Sequence, residues 1–138
     1  MRSYTPEQVF AKVQDCFIEA LGVDAEEVTL KAKVIDDLGA ESLDFLDIVF
    51  RLERAFDIKV PRRDLERQAQ ESLNDEPYEI DGVLTDRALE ELKRVMPEVD
   101  PAEFKPGFKT KDLGRLFLVE TFNNICIKLL KEKGELAA

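Results

Sequence analysis

Apolar residues return every three or four positions over three stretches of this chain, and each such stretch predicts a helix. In the first, Val9, Phe10, Val13, Phe17 and Leu21 form one stripe. Thr5-Pro6-Glu7-Gln8 precedes it. Thr5 can cap, Pro6 suits the first helical position, and Gln8 completes a capping box. Gly22 is placed to end this helix in a left-handed conformation. The second stretch runs from about Ser42 to Phe56. Leu43, Leu46, Val49, Phe50 and Phe56 are expected to face inward, and Asp44, Asp47, Arg51 and Arg54 to face water. The third starts near Thr110 with Leu113, Leu116, Phe117, Val119, Phe122, Ile125 and Cys126, and its apolar pattern continues to Leu130. From Gly134 onward, residues 134–138 are expected as a flexible tail.

The intervals are less regular. Residues 23–41 hold no sustained period, but Val28, Leu30, Val34, Ile35 and Leu38 are scattered apolar anchors that should pin the segment to the core. A loop of this length is uncommon without a function, and here it delivers the chain to Ser42. Asn74-Asp75-Glu76-Pro77 reads as a turn. Thr85 can cap a helix of Asp86 to Val95, with Ala88, Leu89, Leu92 and Val95/Met96 on one side. Pro97, Pro101 and Pro106 keep the following chain irregular, apart from a short turn at Ala102-Glu103-Phe104.

At 138 residues the length fits a single domain with a real core. The formal net charge is −10, which argues against nucleic acid and for basic protein partners. Residues 71–107 carry net −7, whereas residues 108–138 carry +2. Two cysteines, Cys16 and Cys126, fall in apolar helical patterns and read as core side chains, not as a disulfide framework. With no histidine and no Cys-x-x-Cys, no metal site is expected. Asp81-Gly82 hints at a calcium loop, but Pro77 and Ala88 would then occupy ligand positions that need carboxylates. No signal peptide and no apolar run of membrane-spanning length is visible, so the chain reads as cytoplasmic and soluble.

The chemistry centres on Ser42. Five carboxylates, Asp36, Asp37, Glu41, Asp44 and Asp47, surround it, and no Lys, Arg or His lies between positions 36 and 50. A serine at a helix start meets a positive macrodipole and backbone N–H groups without intrahelical partners, which stabilise a phosphate joined there. A nucleophilic serine needs a base, and the chain has no histidine. A serine hydrolase therefore ranks last, with no nucleophile elbow either. An ordinary helix-start serine is the plainest alternative.

Asp37-Leu38-Gly39-Ala40-Glu41-Ser42-Leu43-Asp44 resembles the phosphopantetheine attachment motif of acyl carrier proteins. Its flanks resemble the family too. Leu21-Gly22-Val23 and Glu26-Glu27-Val28-Thr29 lie upstream, and Leu52-Glu53, Phe56-Asp57-Ile58 and Val60-Pro61 downstream. The likeness runs over about 5–70 and resumes near Phe108. It implies an all-α fold: a four-helix acyl-carrier-like bundle, with residues 71–107 an extra helical insertion between the third and last helices of a single domain spanning 1–138. It also implies a carrier, not an enzyme. Ser42 would bear 4′-phosphopantetheine, added by a phosphopantetheinyl transferase, and the arm would hold an acyl chain as a thioester.

On the same resemblance, Asp37, Glu41, Asp44, Asp47 and Glu53 would dock to basic patches on acyl-chain synthases and acyltransferases. Leu46, Val49, Phe50 and Phe117 would line the acyl pocket of a monomeric protein. The cargo would belong to fatty acid or specialised lipid biosynthesis, such as the very long chains of lipid A. Three departures point to a narrower set of partners. Glu41 stands where the family usually has Asp, Arg51 and Arg54 break the acidic end of helix two, and Arg62-Arg63 follow Pro61. Two further alternatives stay open: an aminoacyl/peptidyl or polyketide carrier, and an unmodified acidic adaptor.

Overall fold

A computed structural model describes residues 3–60, 64–73 and 75–137. The described chain is mostly helical, with five α-helices and one small two-stranded sheet. It divides into two compact units, Met1–Val60 with Phe117–Ala138, and Pro61–Leu116 between them.

The first unit contains α1 (Pro6–Leu21), α2 (Ser42–Phe56) and, late in the chain, α5 (Val119–Lys133). The capping box at Thr5 is present: Gln8 N–H donates to Thr5 Oγ1 at 3.2 Å, and Thr5 N–H to Gln8 Oε1 at 2.9 Å. Gly22 closes α1 at φ +68°, a left-handed conformation that favours a residue without Cβ. Val9, Val13 and Phe17 from α1, Ile48, Leu52 and Phe56 from α2, and Val119, Phe122, Cys126 and Leu130 from α5 are buried in one cluster.

The inward face of α2 differs from the expected one. Leu43 is 82% exposed, Leu46 38% and Phe50 44%, so these three line an outer stripe. Ile48, Leu52 and Phe56 are buried, with Phe45 and Val49 packed against the same core. Both stripes repeat at three- and four-residue spacing, and each residue turns the helix by about 100°. Periodicity alone therefore cannot choose between them.

The last helix begins at Val119, not near Thr110. Residues Thr110–Leu116 form a 3₁₀ helix. The chain then straightens because it pairs with the long loop: Val34 N–H donates to Phe117 O, Val119 N–H to Ala32 O, and Glu120 N–H to Leu30 O, each at 3.0 Å. Thr121 Oγ1 accepts from Leu118 N–H at 3.0 Å and starts α5. The expected tail is also tied down. Tyr4 N–H donates to Glu135 O at 2.8 Å and Ala137 N–H to Tyr4 O at 2.7 Å, a parallel bridge that holds residues 135–137. The Tyr4 ring meets Phe56 edge-on at 5.3 Å.

The second unit holds α3 (Asp64–Leu73), strands β1 (Glu79–Ile80) and β2 (Val83–Leu84), and α4 (Asp86–Val95). It is wider than residues 71–107, because α3 packs against α4 within it. Ala69, Leu73, Leu84, Ala88, Leu92 and Met96 are among its buried residues. Thr85 caps α4, accepting from Ala88 N–H at 3.1 Å. Asp81-Gly82 is a hairpin turn: both residues have positive φ, 53° and 79°, as a two-residue type I′ turn requires. Asn74 of the expected turn, and Pro61, Arg62 and Arg63, lie outside the described residues.

Both cysteines are buried and unpaired. Burial pushes the Cys126 thiol up to about 12, and burial followed by the Glu19 carboxylate pushes Cys16 up to about 11. Both sit well above the ordinary 9.0, so the unfolded chain releases these protons first. The stability they contribute is complete below pH 9.0 and is lost as pH rises through 11 and 12. A fall in the urea midpoint over that window is expected, shallower in Cys126→Ala. An identical slope in the variant would remove Cys126 from the account.

Candidate functional site

The site is assembled by the loop before α2. Val28, Ala32, Val34, Leu38 and Ala40 are buried, so residues 28–40 are anchored at several points. Leu30 was expected among the anchors but is 38% exposed, and it contributes through its backbone pairing with Glu120. A tight turn follows. Asp37 N–H and Leu38 N–H donate to Lys33 O, Gly39 N–H to Ile35 O, and Ala40 N–H to Val34 O. Asp37 Oδ2 accepts from Lys33 N–H at 2.8 Å and locks this turn. Gly39 sits at φ +75°, where a side chain would be strained.

Glu41 is extended, at φ −106° and ψ 169°, and serves as the N-cap residue. Asp44 Oδ2 accepts from Glu41 N–H at 2.7 Å, the reach-back half of a capping box. Asp44 N–H donates in turn to Glu41 O at 2.9 Å. These contacts put Ser42 at the first position of a 15-residue helix. First-turn N–H groups and the macrodipole there favour an anion. No cation occurs in the sequence between positions 36 and 50. A phosphate esterified at this point would therefore keep its charge without an ion pair to a neighbouring residue in sequence.

The expected docking residues fall into three kinds. Asp37, Asp44 and Glu53 each commit an oxygen to the backbone, Glu53 Oε2 accepting from Val60 N–H at 2.8 Å. Asp47 pairs with Arg51 at 3.1 Å, and Arg51 also reaches Glu19 at 3.1 Å. Glu41 is exposed. These carboxylates thus fix the local fold as well as giving the surface its charge.

One turn into α2, Phe45 begins an aromatic cluster. Its ring lies 5.9 Å from Phe117 and 5.9 Å from Phe122. Phe117 and Phe122 are 5.9 Å apart, and Phe17 meets Phe122 at 5.6 Å. Of the expected pocket residues, Val49 and Phe117 are partly buried against this core, whereas Leu46 and Phe50 lie on the outer stripe. Phe45 and Phe122 were not among them. Phe45 follows three residues after Ser42, a spacing that could have marked it. Among the described residues, no cluster of His, Cys, Asp and Glu could hold a metal ion, and no helix is long and apolar enough to cross a membrane.

Comparison with known proteins converges on the same stretch. The family described as "Phosphopantetheine attachment site" matches residues 11–75. An acyl carrier protein of Thermotoga maritima is 51% identical over 61 residues, covering 44% of this chain and 75% of that protein. One of Clostridium acetobutylicum is 44% identical over 59 residues, covering 43% and 77%. Acyl carrier protein AcpXL of Brucella melitensis is 48% identical over 62 residues, covering 45% and 63%. With half of the aligned residues shared and the pinned loop leading into a capped helix, the chain belongs to the acyl carrier protein family, whose prosthetic group is 4′-phosphopantetheine.

Proposed function

We propose that Ser42 is the residue esterified by 4′-phosphopantetheine. The chain then shuttles a thioester-bound acyl chain between enzymes of fatty acid or specialised lipid biosynthesis, the very long chains of lipid A included. The observation that carries this reading is the place of Ser42 as the first residue of α2, behind a turn fixed by Asp37, Gly39 and Asp44. As a carrier the protein is not an enzyme; the chemistry belongs to those it visits. Its partners are a phosphopantetheinyl transferase and acyl-handling synthases and acyltransferases, met in the cytoplasm by a monomer.

The docking face is α2. Its outer stripe of Leu43, Leu46 and Phe50 gives apolar contact area. Glu41, Asp44, Asp47 and Glu53 flank these residues in sequence and Asp37 lies in the preceding turn, and their negative charge attracts a basic partner surface. Leu46 and Phe50 fit this outer role better than the acyl pocket, for which Val49 and Phe117 are retained and Phe45 is added.

The test is intact mass after incubation with coenzyme A and a broad-specificity phosphopantetheinyl transferase. A gain of one phosphopantetheine is expected. A thiol reagent should then label the arm and spare Cys16 and Cys126, whose burial disfavours the reactive thiolate. No mass gain with a transferase that loads a control carrier would sink the reading and favour the unmodified adaptor.

A further inference from the structure

Residues 105–115 of the second unit carry Lys105, Lys109, Lys111 and Arg115 against the single carboxylate Asp112. All four cations are exposed, and none has an ion pair among the described residues. Three described cations earlier in this unit are neutralised locally: Arg87 pairs with Glu76 at 2.8 Å, Lys93 with Glu90 at 3.1 Å and Arg94 with Glu91 at 3.1 Å. Four cations without an ion pair thus fall within eleven residues of a chain with net charge −10.

The fold draws that segment together. Phe108 N–H donates to Lys105 O at 3.1 Å and closes a turn, and Asp112 N–H donates to Lys109 O at 3.0 Å and starts the 3₁₀ helix. Such a helix rises about 2.0 Å per residue, which sets Lys111 about 4 Å and Arg115 about 12 Å along the axis from Lys109. Lys109 bridges Val83, and Val83 pairs with Ile80. Directly opposed residues share a face of a sheet, which sets Ile80, 60% exposed, on the same face as Lys109. Leu113 and Leu116 anchor the segment from below, 2% and 4% exposed.

We propose that this surface docks an acidic face of a partner protein, one that presents a row of carboxylates beside an apolar contact for Ile80. Screening decides between this partner and an extended anionic surface. At physiological ionic strength the Debye length is about 8 Å, so a local protein patch senses mainly the charges of this segment and its neighbours, the four cations against Asp112 and against Glu79, which accepts from Thr110 Oγ1 at 2.6 Å. A lipid surface or a nucleic acid rod meets more of the molecule, whose net charge of −10 repels it. The polarity is opposite to that of the acidic start of α2.

The experiment titrates the full chain, isotope-labelled and without its arm, with a synthetic amphipathic peptide bearing glutamates beside leucines. Its outcome is thus independent of Ser42 loading. Backbone amide shifts confined to Ile80 and residues 105–115 are expected. Binding should weaken at least about tenfold in the variant Lys105→Glu, Lys109→Glu, Lys111→Glu, Arg115→Glu, and vanish near 1 M salt, where the Debye length is about 3 Å. The milder Lys105→Gln, Lys109→Gln, Lys111→Gln variant, checked by circular dichroism, covers any misfolding of the first. Absent shifts, or shifts centred elsewhere, would overturn the proposal. So would tighter binding to phosphatidylglycerol vesicles that is lost in the same variants, since that would assign the patch to lipid.

Discussion

Ser42→Ala is expected to abolish loading with phosphopantetheine entirely, and to leave the helix content unchanged. The loss is complete rather than graded because alanine has no hydroxyl from which a phosphate ester can form. The fold should tolerate the change for two reasons. Alanine is the best intrinsic helix former. The start of α2 is also set by its neighbours: Glu41 is the N-cap residue, and Asp44 Oδ2 holds the Glu41 N–H at 2.7 Å. Intact mass after incubation with coenzyme A and transferase reads the first claim, and far-ultraviolet circular dichroism reads the second. An alanine variant that still gained the mass would place the ester on another residue. A variant that lost helicity would make Ser42 structural, and the loading defect would no longer locate the attachment point.

Phe122→Ala should be among the most damaging single changes in the first unit. Phe122 is 4% exposed and its ring meets Phe17, Phe45 and Phe117 at 5.6–5.9 Å. Truncating a buried phenylalanine removes transfer energy and leaves a cavity, about 3–5 kcal/mol together. That is a large share of the roughly 5–15 kcal/mol that holds a domain folded. Urea denaturation measures it, with Leu43→Ala as the reference: at 82% exposure, Leu43 should cost no more than about 0.5 kcal/mol. A double-mutant cycle between Phe45 and Phe122 should show coupling of about 0.5–1.5 kcal/mol, because aromatic pairs contribute beyond their buried area. If Phe122→Ala and Leu43→Ala had equal midpoints, the cluster would not be the centre of the core.

What could be read from the chain follows the range of the interactions. Helix α1 and the start of α4 are set by local contacts, Thr5 with Gln8 and Thr85 with Ala88, and those residues announce them. The place of Ser42 was legible for the same reason, since Asp37, Gly39 and Asp44 act within a few residues of it. The facing of α2 was not, because Leu43-Leu46-Phe50 and Phe45-Ile48-Leu52 are both apolar at helical spacing, and only packing against α1 and α5 decides. The start of α5 was missed because Phe117 and Glu120 pair with residues 30–34, more than eighty positions earlier. The ordering of residues 135–137 by Tyr4 is equally remote in sequence. The hairpin at Asp81-Gly82 carried a local signal, Asp-Gly between Ile80 and Val83, that a calcium-loop reading passed over.

The division of the chain into an outer unit interrupted by a continuous inner one has a consequence for biosynthesis. The core formed by α1 and α2 lacks Val119, Phe122, Cys126 and Leu130 until α5 has been made. Residues 61–116 are contiguous and bury their own apolar set, so they can collapse as soon as they emerge. At about 5–20 residues per second, α1 and α2, which pack against each other, wait several seconds for the part of their core that α5 supplies. The core beneath Ser42 is thus begun early in synthesis and completed only when Val119, Phe122, Cys126 and Leu130 arrive.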